Sequence, residues 1–463
     1  MTFLEKMRAL KVAHIEAQGA KIPLASLKKG VKKARHGFAR ALKKKGRVAL
    51  IAEFKRGSPS RGKINESADL KEFIKLFDEY ADCISVLTEP EFFAGSIDDL
   101  AKARRLTKKP ILRKDFIIDE YQIYEARKAG ADAALLISEL VGAEGINRLM
   151  KVADSLGMDC LVECFSEEGL EEILKTRAKI IGINNRDLNT MEEDFLRTQT
   201  LAAKIPKARR QGILLVAESA IRSRRQLDFL QGTANAALVG TAIMSAPSTR
   251  TKLRELAGRT LVKICGTTNA KDAQDAVKLG ADMIGLNFYQ KSPRFVTVER
   301  AREIADAIRG RSVICGVFVN ETTERVEIIA REVGLGMLQF SGDESSQYVN
   351  SFKIPAIKAV HMKDSGSLQD AQSFSSPFLM MDSFSEKEYG GTGIEFDKKL
   401  INLKYLGGKE IIFSGGLNAL NIKGIIKKFR PFMVDVCSGV EGALGKKDFA
   451  KMKLFIESAQ GER

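Results

Sequence analysis

Leu261-Val262-Lys263-Ile264-Cys265-Gly266-Thr267-Thr268-Asn269 decides how the rest of the chain is read. A mostly apolar run rich in β-branched residues is cut off by a glycine turn, so it reads as a short buried strand ending in a cysteine. It lies past the midpoint of the 463 residues, yet it begins a new series of strands. Just before it, Ser245-Ala246-Pro247-Ser248-Thr249-Arg250 breaks the pattern, and Lys252 to Ala257 reads as a short helix. One strand–helix series precedes this point and another follows it.

Length and composition agree with two units. Single hydrophobic cores rarely grow past roughly 250–300 residues, and this chain has 463, of which 44% are hydrophobic. Domains are expected at 1–255 and 256–463. No run of about 18 apolar residues occurs, so no transmembrane helix or membrane partner is expected. The N-terminus has no apolar signal core, and Glu5 and Glu16 argue against an acid-poor transit peptide. The six cysteines, Cys83, Cys160, Cys164, Cys265, Cys315 and Cys437, contain no Cys-x-x-Cys pair, and only three His accompany them. No metal site is expected from such a set. Cysteines in or at the ends of predicted strands suit a reducing cytoplasm. The net charge of +16 raises the question of nucleic acid, most of all the run from Lys28-Lys29 to Lys43-Lys44-Lys45 and Arg47. No nucleic-acid motif accompanies the charge, so the reading is a solvated helical face that attracts anionic metabolites, with no nucleic-acid partner.

Residues 1 to about 46 read as helices punctuated by Pro23. Short apolar runs follow at Val48–Lys55, Cys83–Thr88, Ile111–Phe116, Ala134–Ser138, Cys160–Glu163, Ile180–Asn184, Ile213–Ser219 and Ala237–Thr241. Charged amphipathic stretches such as Asp69–Tyr80 and Tyr121–Ala129 separate them. Strand and helix alternating at this spacing imply parallel βαβ units. Eight such units in roughly 200–250 residues imply a closed (β/α)8 TIM barrel.

Barrel enzymes work at the C-terminal ends of their strands. Here those ends carry Glu53 and Lys55, then Lys114, Glu163, Asn184 with Arg186, Glu218 with Ser219, and Gly240 with Thr241. Charges at the ends of buried strands need partners or a purpose. Inward alternation puts Glu53, Lys55, Lys114 and Glu163 on one mouth, where they can shift each other's pKa values. For Glu218, a salt bridge closing the barrel end and a role in the site are equally good readings.

These residues fall in motifs. Glu53-Phe54-Lys55 with Ser58-Pro59-Ser60, Leu112-Arg113-Lys114-Asp115-Phe116, Leu161-Val162-Glu163, Asn184-Asn185-Arg186-Asp187-Leu188 and Ala217-Glu218-Ser219 together resemble indole-3-glycerol-phosphate synthase. The resemblance implies a decarboxylating ring closure of 1-(2-carboxyphenylamino)-1-deoxyribulose 5-phosphate. It makes Lys114 the general acid for closure and Glu163 the proton carrier of the later steps. Glu53 would support the cationic side chains, and Lys55 would hold the substrate carboxylate or share acid duty. Asn184 and Arg186 would fix hydroxyls and carboxylate, Phe116 would pack on the anthranilate ring, and Ser58, Ser219 and the Gly240-Thr241 backbone would hold phosphate. Where the family has Gly after Glu-Ser, this chain has Ala220, whose methyl would crowd the phosphate or turn the amide.

From Leu261 the same grammar repeats. Strands are expected at Leu261–Cys265, Met283–Phe288, Ser312–Val319, Met337–Phe340, Ala356–Val360, Phe378–Asp382, Glu410–Ser414 and Met433–Cys437, giving a second, shorter barrel. Its glycine-rich turns Ser414-Gly415-Gly416 and Ser438-Gly439 free backbone amides for phosphate. Cys265 and Asp382 form a candidate base–acid pair. Buried cysteines are usually packing, and Cys83, Cys160, Cys315 and Cys437 read that way. Cys265 differs because a glycine turn sets it at the mouth.

Lys263-Ile264-Cys265-Gly266, Asn287-Phe288 with Lys291-Ser292-Pro293-Arg294, Gly390-Gly391-Thr392-Gly393, Ser414-Gly415-Gly416-Leu417 and Asp435 to Glu441 resemble phosphoribosylanthranilate isomerase. That resemblance implies an Amadori rearrangement with Asp382 as acid and Cys265 as base. Arg294 would orient the anthranilate carboxylate, and Gly391 with the two glycine turns would complete the substrate site. The family pattern Leu-Gln-Leu-His-Gly is replaced by Leu338-Gln339-Phe340-Ser341-Gly342. A chain with both barrels resembles the fused tryptophan-biosynthesis enzyme, with phosphorylated anthranilate–ribose substrates, no cofactor, and a monomeric state expected. A histidine-pathway barrel pair would use aspartates at the ends of strands one and five, where this chain has Lys55 and Glu163, then Cys265 and Val360. A non-catalytic nucleic-acid binder is opposed by the two acid–base sets.

Overall fold

A computed structural model describes residues 2–34, 37–60, 62–362, 371, 374–383 and 408–461. The chain divides into two compact units, Met1–Ala246 and Pro247–Arg463. Each holds one closed barrel of eight parallel strands.

In the first unit the staves are β1 (Ala49–Phe54), β2 (Cys83–Leu87), β3 (Ile111–Lys114), β4 (Ala133–Ile137), β5 (Asp159–Cys164), β6 (Ile180–Asn184), β7 (Leu214–Glu218) and β8 (Ala236–Val239). Closure is made by β1 against β8, with Ala49 opposite Ala236, and by β1 against β2, with Ile51 opposite Cys83. These strands are buried on both faces, which is why they read as continuous apolar runs. The helix Leu70–Tyr80 shows how the outer ring forms. Asp69 caps it by accepting from Lys71 N at 2.8 Å, and Leu70, Phe73, Ile74 and Phe77 make one buried stripe.

The N-terminal helix Phe3–Lys21 opens with a capping box, Thr2 with Glu5. One of its charged residues, Lys11, is buried and pairs with Asp115 at 2.6 Å. Asp115 is also 2.9 Å from Arg113 and accepts from Thr88 Oγ1 at 2.6 Å. This buried network ties the helix to the end of β3, beside Lys114.

The second barrel runs β9 (Leu261–Ile264), β10 (Met283–Asn287), β11 (Val313–Phe318), β12 (Met337–Phe340), β13 (Ala356–Met362), β14 (Phe378–Ser383), β15 (Glu410–Phe413) and β16 (Met433–Val436). Its interior is filled by Leu261, Met283, Cys315, Met337, Ile357, Met380, Ile412 and Met433. A larger apolar layer lies between strands and helices. The helix Thr249–Leu256 belongs to this unit. Its Arg254 Nε is 2.9 Å from Asp282, and Thr251 Oγ1 donates to the Asp282 carbonyl.

All sixteen strands stand where the apolar runs predict them, eight in each closed sheet. Several expected ends run long, because the pairing ladder stops before Lys55, Phe116, Ser219, Thr241 and Cys265, whereas β5, β13 and β14 run past theirs to Cys164, Met362 and Ser383. Lys55, Phe116, Ser219 and Cys265 follow their strands in the loops, and Thr241 opens a short helix. Two small hairpins, Gly57–Ser58 with Gly62–Lys63 and Glu441–Ala443 with Lys446–Lys447, were not expected. Their strands of two or three residues are too short for any periodicity to register.

Candidate active sites

At the mouth of the first barrel, Lys114 ends β3 and reaches two carboxyl groups. Its Nζ is 2.9 Å from Glu163 Oε2 and 3.2 Å from Glu218 Oε2. Asn184 Nδ2 donates to the other oxygen of Glu163 at 3.0 Å. Burial opposes the Lys114 charge, yet Glu163, Glu218 and Glu53 together hold the ammonium above its usual range. Burial also favours a neutral Glu163, but Lys114 and hydrogen bonds from Glu218, Lys114 and Asn184 hold it below the usual carboxylate range. Glu218 goes the other way. Burial and the Glu163 charge push its carboxyl well above the ordinary value. Two adjacent buried carboxyl groups beside one ammonium titrate as a pair, with Glu218 pushed toward its neutral form and Glu163 toward its ionised one.

The room for this arrangement is built from missing side chains. A Cβ on Gly182 would lie 2.3 Å from Glu218 Oε1, and one on Gly240 would lie 2.2 Å from Glu53 Oε1 and 3.0 Å from Lys55 Nζ. Glu53 Oε1 in turn pairs with Lys55 Nζ at 2.7 Å. Glu53, Lys55, Lys114, Glu163, Asn184, Glu218 and Gly240 thus face one mouth.

The remaining first-barrel residues lie around its rim. Arg186 N donates to Asn184 Oδ1 at 3.0 Å, and the Arg186 guanidinium engages Ser60 Oγ and Glu193. Ser58 Oγ is buried and takes no hydrogen bond from the described residues. Phe116 is buried in a ring cluster, 5.8 Å from Phe3 and 6.2 Å from Phe93. Thr241 opens the short helix Thr241–Met244. Ser219 and Ala220 both adopt left-handed backbone, with φ 62° and 57°. Ala220 thus holds the left-handed backbone that glycine adopts most readily, as does the serine before it.

In the second barrel a cavity of about 340 Å³ is lined by Cys265, Asp382, Arg294, Ser414, Gly415, Gly416, Ser438 and Gly439, among others. Eight of the second-barrel residues singled out in the sequence therefore meet around one space. Gly391 lies outside the described residues. Gly266, at φ +66°, leads the chain away from Cys265, and a Cβ there would lie 2.5 Å from Arg294 Cδ and 2.9 Å from Cys437 Sγ. The Arg294 guanidinium is clamped by Glu441 through contacts of 2.8 and 2.9 Å. Lys447 Nζ is 3.0 Å from the same carboxylate. Burial would raise Glu441, but Arg294 and Lys447 hold it below its usual range. Ser341, which replaces a histidine of the family pattern, lines the cavity and accepts from Gln339 Nε2 at 3.0 Å.

Sequence reasoning missed the polar group beneath Cys265. Lys263 is fully buried, and its Nζ lies 3.2 Å from Cys265 Sγ, 2.7 Å from Gln339 Oε1 and 3.0 Å from Asp435 Oδ1. The signal was available. A lysine inside a strand otherwise apolar, with Gln339 and Asp435 inside two others, requires mutual partners.

A family model for indole-3-glycerol phosphate synthase matches residues 4–256, and one for N-(5'-phosphoribosyl)anthranilate isomerase matches residues 262–458. The tryptophan biosynthesis protein TrpCF of Vibrio cholerae is 35% identical over 455 residues, covering 96% of this chain and 93% of that protein. The multifunctional tryptophan biosynthesis protein of Phycomyces blakesleeanus is also 35% identical, over 90% of this chain and 63% of that protein, so this chain spans less than two thirds of the fungal relative. The crystal structure of phosphoribosyl anthranilate isomerase from Thermotoga maritima is 37% identical, covering 44% of this chain and 99% of that one, with a TM-score of 0.41. Two closed barrels, each with acid–base groups at its strand ends, define a two-site barrel enzyme. The chain belongs to the TrpCF family of bifunctional tryptophan-biosynthesis enzymes, with the indole-3-glycerol phosphate synthase unit first and the phosphoribosylanthranilate isomerase unit second. No helix among the described residues is long and apolar enough to cross a membrane.

Proposed function

We propose that the second barrel converts N-(5-phosphoribosyl)anthranilate to 1-(2-carboxyphenylamino)-1-deoxyribulose 5-phosphate, with Asp382 and Cys265 as its proton donor and acceptor. Asp382 gives a proton to the furanose ring oxygen, the carbon–oxygen bond breaks, and the amine nitrogen's lone pair forms a Schiff base. Cys265 then removes the proton from the neighbouring carbon, that C–H electron pair becomes the carbon–carbon double bond of an enolamine as the C=N pair returns to nitrogen, and the enol tautomerises to the ketone. The shared cavity is the observation that carries this reading, because proton donor and acceptor face one enclosed space. Arg294, fixed by Glu441, orients the anthranilate carboxylate. The amides of Gly415, Gly416 and Gly439, with Ser414 and Ser438, bind phosphate, and Gly391 completes the substrate site.

The first barrel then closes the ring on that product. Lys114, kept charged by Glu163, donates a proton to the ketone oxygen as the ring carbon attacks. Carbon dioxide leaves with its bonding pair returned to the ring, and the hydroxyl departs as water. Glu163, oriented by Asn184, moves the later protons. Glu53 holds Lys55 against the substrate carboxylate, and Arg186 fixes the same end. Phe116 packs on the anthranilate ring. Ser58, Ser219 and the Gly240-Thr241 backbone bind phosphate. Glu218, pushed toward its neutral form, leaves Glu163 as the ionised partner of Lys114.

Neither reaction calls for a metal or cofactor, so both activities should survive chelation. The chain acts as a monomer in a reducing cytoplasm, where its six free cysteines remain thiols. It takes no nucleic acid, and sedimentation at physiological salt with and without RNA tests both points. The residue roles are tested by assaying both reactions in each variant. Cys265→Ala and Asp382→Asn should stop isomerisation and leave ring closure intact, while Lys114→Ala and Glu163→Gln should do the reverse. Loss of both activities from one substitution would overturn the assignment.

A further inference from the structure

Lys263 is an expensive residue to place where it lies. Its side chain is fully buried inside the barrel, one layer below the cavity floor. A buried ammonium needs partners for all three of its hydrogens, and it has no lone pair with which to accept. Lys263 finds three: Asp435 Oδ1 at 3.0 Å on β16, Gln339 Oε1 at 2.7 Å on β12, and Cys265 Sγ at 3.2 Å past the end of its own strand. The third contact is therefore one in which sulfur accepts. A thiol is a weak acceptor and a thiolate a strong one, so this hydrogen bond favours the ionised cysteine. Gln339 is itself fixed by donating to Ser341 Oγ at 3.0 Å, and Asp435 by accepting from Ser414 Oγ at 3.3 Å.

The neighbouring strand leaves room for the contact. A Cβ on Gly285 of β10 would lie 2.8 Å from Cys265 Sγ and 3.1 Å from Lys263 Cε. Any side chain there would push ammonium and sulfur apart.

We propose that Lys263 is a positioning residue of the isomerase, whose ammonium, held by Asp435 and Gln339, aims a hydrogen at Cys265 Sγ and supports the thiolate that takes the proton from the substrate carbon. The proposal deepens the assignment of Cys265 as the base and rests on it. When the thiolate takes that proton it becomes a neutral thiol, and the Lys263 hydrogen stays on nitrogen. The groups facing the sulfur pull in both directions. Burial pushes the Cys265 thiol up and Asp435 adds to this, while Lys263 and the more distant Lys447 pull it down. Cys315, Cys437 and Arg294 also interact with the sulfur, and Asp382 lines the same cavity. Burial also opposes the Lys263 charge, and Asp435 is the main group that preserves it.

The test uses the full chain and the iodoacetamide reactivity of Cys265, read by mass spectrometry of its peptide between pH 6 and 10. Asp435→Asn should raise the alkylation rate at pH 7, because the opposing carboxylate charge is gone while Gln339 and the sulfur itself still accept from the Lys263 ammonium. Adding Lys263→Met to it should lower that rate by about tenfold or more, equivalent to a thiol moved up by about a unit. The pH midpoint of isomerisation should rise in step, while ring closure by the first unit is unchanged. A merely structural lysine would lower isomerisation without moving the alkylation midpoint. Equal alkylation in Asp435→Asn and in the double variant therefore overturns the proposal. If that pair does not fold, Lys263→Arg read against Lys263→Gln answers the same question, since only the charged variant should keep the fast alkylation. Cys265→Ala separates the two readings. Isomerisation that survives it removes Cys265 as base, whereas a shifted thiol with unaffected isomerisation removes only the role of Lys263.

Discussion

Single residues decide how each mouth is charged. Glu163 and Glu218 lie together beside Lys114, with Glu218 pushed toward its neutral form and Glu163 held toward its ionised one. Glu218→Gln keeps a neutral donor facing Glu163 and should cost less than about 1 kcal/mol of stability. Glu218→Leu removes that donor and should cost about 1–3 kcal/mol. Urea unfolding of the two variants compares them, and equal costs would contradict a protonated Glu218. Ala220 offers a second test. A residue other than glycine in left-handed backbone costs roughly 1–2 kcal/mol, and Ala220 has φ 57°. Ala220→Gly should therefore stabilise the first unit by about 1 kcal/mol, or roughly 2–4 °C in melting temperature. A lower melting temperature would mean that the methyl packs usefully and the turn is unstrained.

Elements show which parts of the fold the chain spells out and which it conceals. Runs such as Ile180–Asn184 and Met337–Phe340 are legible because parallel barrel strands are buried on both faces. Their ends are legible as sites because a charged residue such as Lys114 or Glu163 at the end of an apolar run has no other reason to be there. Lys263, Gln339 and Asp435 each signal a need for partners by lying within such a run, but which residues pair is hidden, since the partners lie on other strands. No local pattern joins residues that only the closed barrel brings within 3 Å. The N-terminal helix is a parallel case. Lys11 reads as one more surface lysine, yet it is buried against Asp115. Burial pushes the Asp115 carboxyl up, but Arg113 and Lys11 hold it far below the usual carboxylate range. A carboxyl depressed on folding contributes stability above its unfolded value of roughly 3.9 and loses it as pH falls through the folded value. Urea stability of the first unit should thus be flat from neutrality to about pH 5 and fall below about pH 4, with Asp115→Asn flattening the fall. Parallel curves for wild type and Asp115→Asn over that range would show that the network carries no such linkage.

For the whole molecule, the central point is that the proposed acid–base groups fall into two sets with no residue in common. Lys114, Glu163 and Glu218 belong to the first unit, and Cys265, Asp382 and Lys263 to the second. The product of the second reaction set in sequence order is the substrate of the first, so each set can be silenced alone. The most direct measurement mixes two purified variants, Cys265→Ala and Lys114→Ala, in equal amounts. N-(5-phosphoribosyl)anthranilate is then added and the absorbance of indole-3-glycerol phosphate followed. Each variant alone should make none, and the mixture should restore its formation, because the intermediate diffuses from one intact isomerase to one intact synthase. A mixture as silent as its two components would contradict independent sites and, with them, the assignment of each reaction to its own barrel.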